Sequence, residues 1–196
     1  MVTAVQLDVA LRKIAQRTGE DGGWVVGGSA GLALRGLALQ QPPRDLDIYA
    51  DEADAQAIHR LLEPYAVDCQ QESRTERYRS ILSHYEIEGV PVELVGGFEV
   101  RAHGSFYRIE VQELLIPFGL VTAGSPIRIA PLAHELWFNV LRDREDRLQQ
   151  IGGAMERMHK LHYPAFEEIV RRNALAPEQV KRAADWIGLR LPQEQA

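Results

Sequence analysis

The sequence predicts an α+β fold in which a mixed β-sheet flanked by helices is followed by a helical C-terminal region. Up to about residue 130, short apolar or alternating segments typical of strands are interspersed with segments of helical periodicity. After Pro131, apolar residues recur at helical spacing only. Hydrophobic residues make up 45% of the 196 residues and charged residues 26%, which is enough apolar material for a core. We therefore expect an N-terminal domain over 1–130 and a helical subdomain over 131–196.

The first elements are predicted by capping and turn residues. Thr3 and Gln6 have the spacing of a capping box, and the helix that they begin is expected to end by Gly19. Residues 24–26 form a short apolar segment that predicts a strand, which closes at a pair of glycines. An Ala- and Leu-rich helix over 30–37 and a loop rich in Gln and Pro follow.

The middle of the chain predicts several more strands. Residues 45–50 alternate polar and apolar side chains, and Asp51 then caps a helix. Glu88 and Gly89 separate two strand-like segments, which predicts a hairpin. The further strand-like segments lie at 78–88, 90–95, 106–111 and 127–130.

The C-terminal part carries helical stripes of apolar residues. Pro164 and Pro177 are each expected to begin a helix, because proline is tolerated in a first turn. The two stripes that precede them comprise Leu132, Leu136, Val140 and Leu141, then Leu148, Ile151, Met155 and Met158.

Charge and cysteine content exclude several classes of protein. Cys69 is the single cysteine, so no internal disulfide is possible. The formal charge of −6 argues against generic nucleic-acid binding, which depends on Lys and Arg. The first residues lack the layout of a signal peptide, and no apolar run approaches the roughly 20 residues of a membrane span. We expect a cytoplasmic protein that does not bind membranes; the sequence does not indicate its oligomeric state.

Two aspartates predict a metal site. Asp45 and Asp47 are two positions apart on a predicted strand, so both carboxylates project from the same face. Carboxylates held so close repel each other unless a cation lies between them. Their hard oxygen atoms favour Mg²⁺, which is usually held by one or two carboxylates together with substrate phosphates.

Upstream, a glycine-rich turn predicts a phosphate site. Gly27, Gly28 and Ser29 lie between a predicted strand and a predicted helix. Glycines allow the backbone to approach a ligand, and the N–H groups that begin a helix favour an anion. The hydroxyl of Ser29 adds a further donor.

Glu93 is the candidate third carboxylate. It is the only charge in the apolar segment 90–95, and an unpaired buried acid is costly, so we expect it to face a cleft, a partner or a metal. Glu86 and Glu88 precede the hairpin turn and are less constrained. Three carboxylates could hold a pair of metal ions that clamp the attacking and leaving oxygens of an in-line displacement.

These residues resemble the nucleotidyltransferase superfamily of DNA polymerase β. The match rests on Gly27-Gly28-Ser29, on Arg35-Gly36 and on the segment Arg44 to Ile48. It looks closest to small bacterial members, namely lincosamide and aminoglycoside nucleotidyltransferases and the nucleotidyltransferase toxins of abortive-infection systems. In the toxin branch a lysine is expected on the helix after the sheet, where this chain has Asn139.

The resemblance implies an enzyme that transfers a nucleoside monophosphate from a nucleoside triphosphate such as ATP to a hydroxyl-bearing acceptor, with release of pyrophosphate. The acceptor would be a small molecule such as an antibiotic, or a macromolecule. By the matching positions Gly28 and Ser29 would hold the triphosphate, and Arg44 would neutralise phosphate charge. Asp45, Asp47 and Glu93 would hold Mg²⁺ and carry the catalysis.

Two alternatives remain open at this point. A non-catalytic nucleotide-binding module, or a toxin–antitoxin partner module, could keep the same fold. The segment from Gly27 to Gly31 also matches the Gly-x-Ser-x-Gly elbow of serine hydrolases, with Ser29 as nucleophile. The elbow needs several strands before it, and the 26 residues that precede the turn are too few to supply them.

Overall fold

The computed structural model describes residues 2–19, 22–121 and 126–190. Within these residues, eight strands form one sheet: β1 (Trp24–Gly27), β2 (Leu46–Ala50), β3 (Gln71–Arg74), β4 (Tyr78–Ile87), β5 (Val90–Ala102), β6 (Ser105–Arg108), β7 (Leu120–Val121) and β8 (Arg128–Ile129). The helices are α1 (Ala4–Thr18), α2 (Gly28–Leu34), α3 (Glu52–Leu62), α4 (Leu132–Leu141), α5 (Glu145–Arg157), α6 (His159–Arg172) and α7 (Pro177–Trp186). A 3₁₀ turn follows α3 at Glu63–Tyr65, and a π-helix spans Val111–Leu115.

The sheet is mixed, as the sequence predicts. Its strand order is β3-β4-β5-β2-β1-β8-β7, with β6 paired to the far end of β5. The pairs β2–β5 and β1–β8 are parallel, and the other pairs are antiparallel. The predicted α+β fold, with its helical C-terminal region, is confirmed.

Several local predictions are confirmed by the backbone. Thr3 and Gln6 form the capping box of α1, which ends at its Gly19 cap. The hairpin between β4 and β5 turns at Glu88 and Gly89. Their φ angles of 54° and 72° are both positive, as a two-residue type I′ hairpin turn requires. Pro177 is the first residue of α7.

The strand and helix bounds differ from the prediction in a few places. The predicted strand 106–111 ends at Arg108, because the chain turns into the π-helix at Val111. Strand β5 continues past residue 95 to Ala102, because β4 and β6 both pair with its second half. The short edge strand β3 was not predicted; its exposed polar residues carry no apolar alternation.

In the C-terminal region the structure differs from the prediction at one proline and one methionine. Pro164 does not begin a helix but lies inside α6, which starts at His159. Met158 is 52% exposed and caps the end of α5, so it is not part of the buried stripe that holds Leu148, Ile151 and Met155. The stripe ends one turn early because the chain leaves the helix there.

Two apolar clusters cover the two faces of the sheet. One joins α1 and α3 to sheet residues such as Ile48 and Leu94. The other joins Tyr49 and Phe98 to the helices from α4 onward, and α4 is buried along its whole length. The last strand ends at Ile129 and α4 begins at Leu132. The second apolar cluster contains residues from both sides of this boundary. None of the described helices is long and apolar enough to cross a membrane.

Candidate active site

The register of four neighbouring strands places two of the three predicted acidic residues, Asp47 and Glu93, in one row. Gly27 of β1 pairs with Asp47 of β2, Asp47 with Glu93 of β5, and Glu93 with His84 of β4. Adjacent strands lie about 4.8 Å apart and paired residues project from the same face, so the side chains of Asp47 and Glu93 are neighbours. Asp45 lies just before β2 rather than within it, where the chain approaches the same edge.

The glycine turn lies directly against Asp47. Gly28 begins α2 with a φ of 59°, and a Cβ atom added to it would overlap Asp47 Oδ2. Only glycine fits at this position, both because of the left-handed backbone and because of this contact. The turn and the aspartate are therefore packed as one unit.

Five of the six predicted site residues line one cleft. Its volume is about 970 Å³ including its opening to solvent. The five are Gly28, Ser29, Arg44, Asp45 and Asp47. The sixth, Glu93, lines a second cleft of about 870 Å³, and Asp47 lines both. The carboxylates thus lie at the boundary between two clefts.

The electrostatics of the row favour a bound cation. Burial, followed by the negative charges of Asp45, Glu93 and Glu135, raises the pKa of Asp47 to about 8. Burial also raises the pKa of Glu93, and the charge of Asp45 adds to that shift. With its pKa near 8, Asp47 takes up a proton at neutral pH unless a cation offsets its charge.

The donor set fits magnesium in its chemistry. All three acids offer hard oxygen atoms, as Mg²⁺ requires. Within residues 2–19, 22–121 and 126–190, however, no three His, Cys, Asp or Glu side chains lie close enough together to bind a metal ion. The assignment of Asp45, Asp47 and Glu93 as metal ligands therefore stays a prediction.

Glu135 is a site residue that the sequence interpretation missed. It lies on α4, is 2% exposed, and accepts a hydrogen bond of 2.7 Å from the Gly28 N–H. Burial raises its pKa to about 7, although that hydrogen bond and the charge of Arg35 oppose the shift. The sequence did carry a signal, because an acid within the apolar segment around Trp137 is costly to bury without a partner.

Arginine side chains from the C-terminal region also line the first cleft. Arg142, Arg144 and Arg147 line it together with Arg44. Arg142 lies 4.5 Å from the ring centre of Phe138 and reaches both clefts. These residues come from the end of α4 and the start of α5, and nothing in their spacing indicated that they would face the aspartates.

Asn139 and Arg35 have structural partners. Asn139, which stands where the toxin branch has a lysine, donates a hydrogen bond of 2.8 Å to the Glu135 carbonyl. Arg35 donates to the carbonyls of Ile129 and Ala130, so it braces the chain that leads into α4. Positive charge in this cleft therefore comes from other arginines.

The cleft around Ser29 does not support a serine hydrolase. A nucleophilic serine needs a base within hydrogen-bond reach, most often histidine. Among the described residues, no histidine lines the cleft that contains Ser29. Acidic and cationic groups surround the hydroxyl instead.

Comparisons with known proteins show a nucleotidyltransferase fold. No family model matches the chain, and no curated protein does. Among solved structures, the chain is similar to a Thermotoga maritima protein described as a "putative nucleotidyltransferase", with 28% identity and a TM-score of 0.61, over 75% of this chain and 90% of that one. ANT(2'')-Ia, solved with adenylyl-2''-tobramycin, matches at 15% identity and a TM-score of 0.46, over 95% of this chain and 98% of that one.

Proposed function

We propose that this chain is a Mg²⁺-dependent nucleotidyltransferase that moves a nucleoside monophosphate from a nucleoside triphosphate to a hydroxyl-bearing acceptor and releases pyrophosphate. The observation that carries the proposal is the position of Asp47. It is paired with Glu93 across the sheet, coupled electrostatically to Asp45, and packed against the glycine turn that begins α2. The similarity to a solved structure of this fold supports the same class of reaction.

The arginine side of the first cleft suits the triphosphate. Ser29 offers its hydroxyl and the N–H group of the first turn of α2, while the Gly28 N–H is held by Glu135. Arg44, Arg142 and Arg147 lie around the same space and would offset the phosphate charge.

The three carboxylates complete the mechanism. Asp45, Asp47 and Glu93 would hold Mg²⁺, which when bound supplies positive charge to the oxygens of an in-line displacement. Glu93 faces the second cleft and would accept the proton of the acceptor hydroxyl. The acceptor oxygen then forms a bond to the α-phosphorus, the bond from that phosphorus to the bridging oxygen breaks, and pyrophosphate leaves.

The proposed activity is tested by labelled-nucleotide transfer. Each of the four α-labelled triphosphates is incubated with Mg²⁺ and a panel of hydroxyl acceptors, and pyrophosphate release is followed. We expect Asp47→Asn and Glu93→Gln each to lower the rate by about 100-fold or more, because each removes a charge that acts on the transition state. Glu86→Gln, an exposed acid on β4, is the matched control and should retain the rate.

A non-catalytic nucleotide-binding or toxin–antitoxin partner module is the second candidate. The observation that favours it is the lack of a ready three-residue metal cluster in the described residues. Such a module would bind a nucleoside triphosphate without cleaving it to pyrophosphate, whichever acceptor is present. If Asp45→Ala/Asp47→Ala protein bound both triphosphate and Mg²⁺ as well as the wild type, neither the enzyme nor its proposed metal site would stand.

A further inference from the structure

Two clefts of different chemistry meet at the candidate site. Both are lined by Asp47, Phe138 and Arg142, and otherwise they share no lining residue. We call the first the arginine cleft, lined by Gly28, Ser29, Arg44, Arg142, Arg144 and Arg147. We call the second the aromatic cleft, lined by Tyr49, Tyr78, Phe98, Phe138 and Leu82. A substrate in one cleft would touch a substrate in the other only beside these three shared residues.

The aromatic cleft has a preformed apolar wall. Phe98 is in contact with three other rings: it stacks on Tyr49 at 6.2 Å between ring centres, meets Phe138 edge-on at 5.5 Å and lies 5.9 Å from Tyr78. Such contacts hold each ring in place, so little side-chain freedom is lost when a ligand packs on them. The wall is suited to the flat or apolar face of a small molecule.

Polar groups of the aromatic cleft are confined to its edges. The hydroxyls of Ser73, Thr75 and Ser80 line the side formed by β3 and β4. Glu93 lies at the end shared with Asp47. A few polar groups at the margin of an apolar surface are the usual means of orienting a small ligand.

The charge of the aromatic cleft selects against phosphorylated ligands. Asp47 and Glu93 contribute carboxyl groups to it, and Arg142 is the only cation among the described lining residues. Nucleic acids and other polyphosphates require several Lys or Arg contacts, which the arginine cleft provides and this one does not. A neutral or cationic ligand meets no such obstacle.

From these observations we infer that the aromatic cleft is the acceptor site, and that its acceptor is a small molecule with a hydroxyl beside a flat or apolar ring and without phosphate. The inference rests on the proposed nucleotidyl transfer. The hydroxyl would lie at the Glu93 end, and the ring would pack on Phe98 and Tyr78. A macromolecular acceptor with a phosphate backbone is not expected.

Ligand-observed NMR with matched pairs of probes tests the assignment without nucleotide. The probes are pyridoxine and pyridoxine 5′-phosphate, and phenyl β-D-glucoside and its 6-phosphate. We expect saturation transfer to the unphosphorylated member of each pair. The signal should be at least about fivefold weaker for the phosphorylated member, because the cleft has only Arg142 to offset the phosphate charge. Equal or stronger binding of the phosphorylated members, or no binding by either unphosphorylated probe, overturns the inference.

Two variants locate the binding. Leu82→Trp places an indole inside the aromatic cleft, and Ser73→Trp places one at its half-exposed rim on β3, where misfolding is less of a risk. We expect at least a fivefold loss of probe signal in each folded variant. Glu86→Trp adds the same indole at an exposed position of β4 and should leave the signal unchanged. A signal that survives in both cleft variants overturns the assignment.

Nucleotide binding by the same variants separates the two proposals. Equilibrium binding of the four triphosphates should be unchanged in Leu82→Trp and Ser73→Trp if the aromatic cleft serves the acceptor. A fivefold loss of triphosphate affinity would show that the aromatic cleft binds the nucleobase. That result would overturn the inference, but it would be compatible with the proposed nucleotidyl transfer. Conversely, if the chain binds the probes but releases no pyrophosphate in the transfer assay, the proposed nucleotidyl transfer is refuted. The ligand class assigned to the aromatic cleft is not affected by that result.

Discussion

At the scale of single residues, Glu135 is the buried acid that contacts the glycine turn. Its carboxylate is buried and receives the N–H of Gly28, whose left-handed backbone points that group toward α4. A charge buried in an apolar helix is retained only where it makes such a bond. Glu135 therefore links the helix that follows the sheet to the turn that begins α2, and we predict that it positions Ser29.

Replacement of Glu135 tests this role. Glu135→Ala removes the acceptor of the Gly28 N–H, so we expect the KM for the triphosphate to rise about tenfold or more with a smaller change in kcat. The unpaired N–H also lowers the free energy of unfolding by about 1–3 kcal/mol. Glu135→Gln keeps a carbonyl oxygen at the same place and should restore most of the affinity. Equal KM values for the Gln and Ala variants, measured by steady-state kinetics, would contradict the role.

At the scale of elements, Asp51 joins the start of α3 to the π-helix at Val111–Leu115. The sequence predicts it as the cap of α3, and it does occupy that position, but its side chain makes no capping bond. Instead its two oxygens accept the N–H groups of Val111 and Gln112, at 2.9 and 3.0 Å. A cap position only requires extended backbone, so the carboxylate was free to bond to a segment distant in sequence.

Asp51→Ala tests that link. The substitution leaves two backbone N–H groups without their acceptor, and we expect the free energy of unfolding to fall by about 1–3 kcal/mol. Urea denaturation followed by circular dichroism measures the change. Glu63→Ala, at an exposed position just after α3, is the control and should change stability by less than about 0.5 kcal/mol. Similar losses in the two variants would show that the link contributes nothing.

At the scale of the whole molecule, the candidate site lies where the sheet and the C-terminal helices meet. The apolar cluster that contains Tyr49 and Phe98 also contains Leu136 and Trp137 of α4. The cleft residues Arg142 and Arg147 follow directly from that packed helix. The division at residue 130 therefore stays a prediction about the chain, while the clefts draw on both sides of it.

The buried acids make the stability of the whole molecule depend on pH. The pKa of Asp47 is raised from 3.8 to about 8. The folding stability that this shift contributes is fully present below pH 3.8 and is lost as pH rises toward 8. Glu135, with a pKa near 7, acts in the same direction. His134 and His162, whose pKa values burial lowers to about 3 and 4, act in the opposite direction only below their unfolded pKa of 6.5.

We therefore expect the Tm of the metal-free protein to fall between pH 6.5 and 8.5. The loss from a single acid approaches about 1.4 kcal/mol per pH unit. In Asp47→Asn the fall should be smaller, and Mg²⁺ should raise the Tm of the wild type more at pH 8.5 than at pH 6.5. Thermal denaturation in EDTA and in Mg²⁺ measures both. A Tm that is flat across this range in the wild type would refute the coupling.

The sequence by itself determined the elements that depend on local residues. The cap at Thr3, the turn at Glu88-Gly89 and the strand–glycine–helix unit around Gly28 follow from neighbours along the chain. The choice of Glu93 over Glu86 and Glu88 as the third carboxylate stays a prediction. Only the tertiary structure decided what faces that unit. Glu135, Arg142, Arg144 and Arg147 all lie more than 100 residues from the glycine turn. Their approach results from packing α4 against the sheet, which no local pattern encodes.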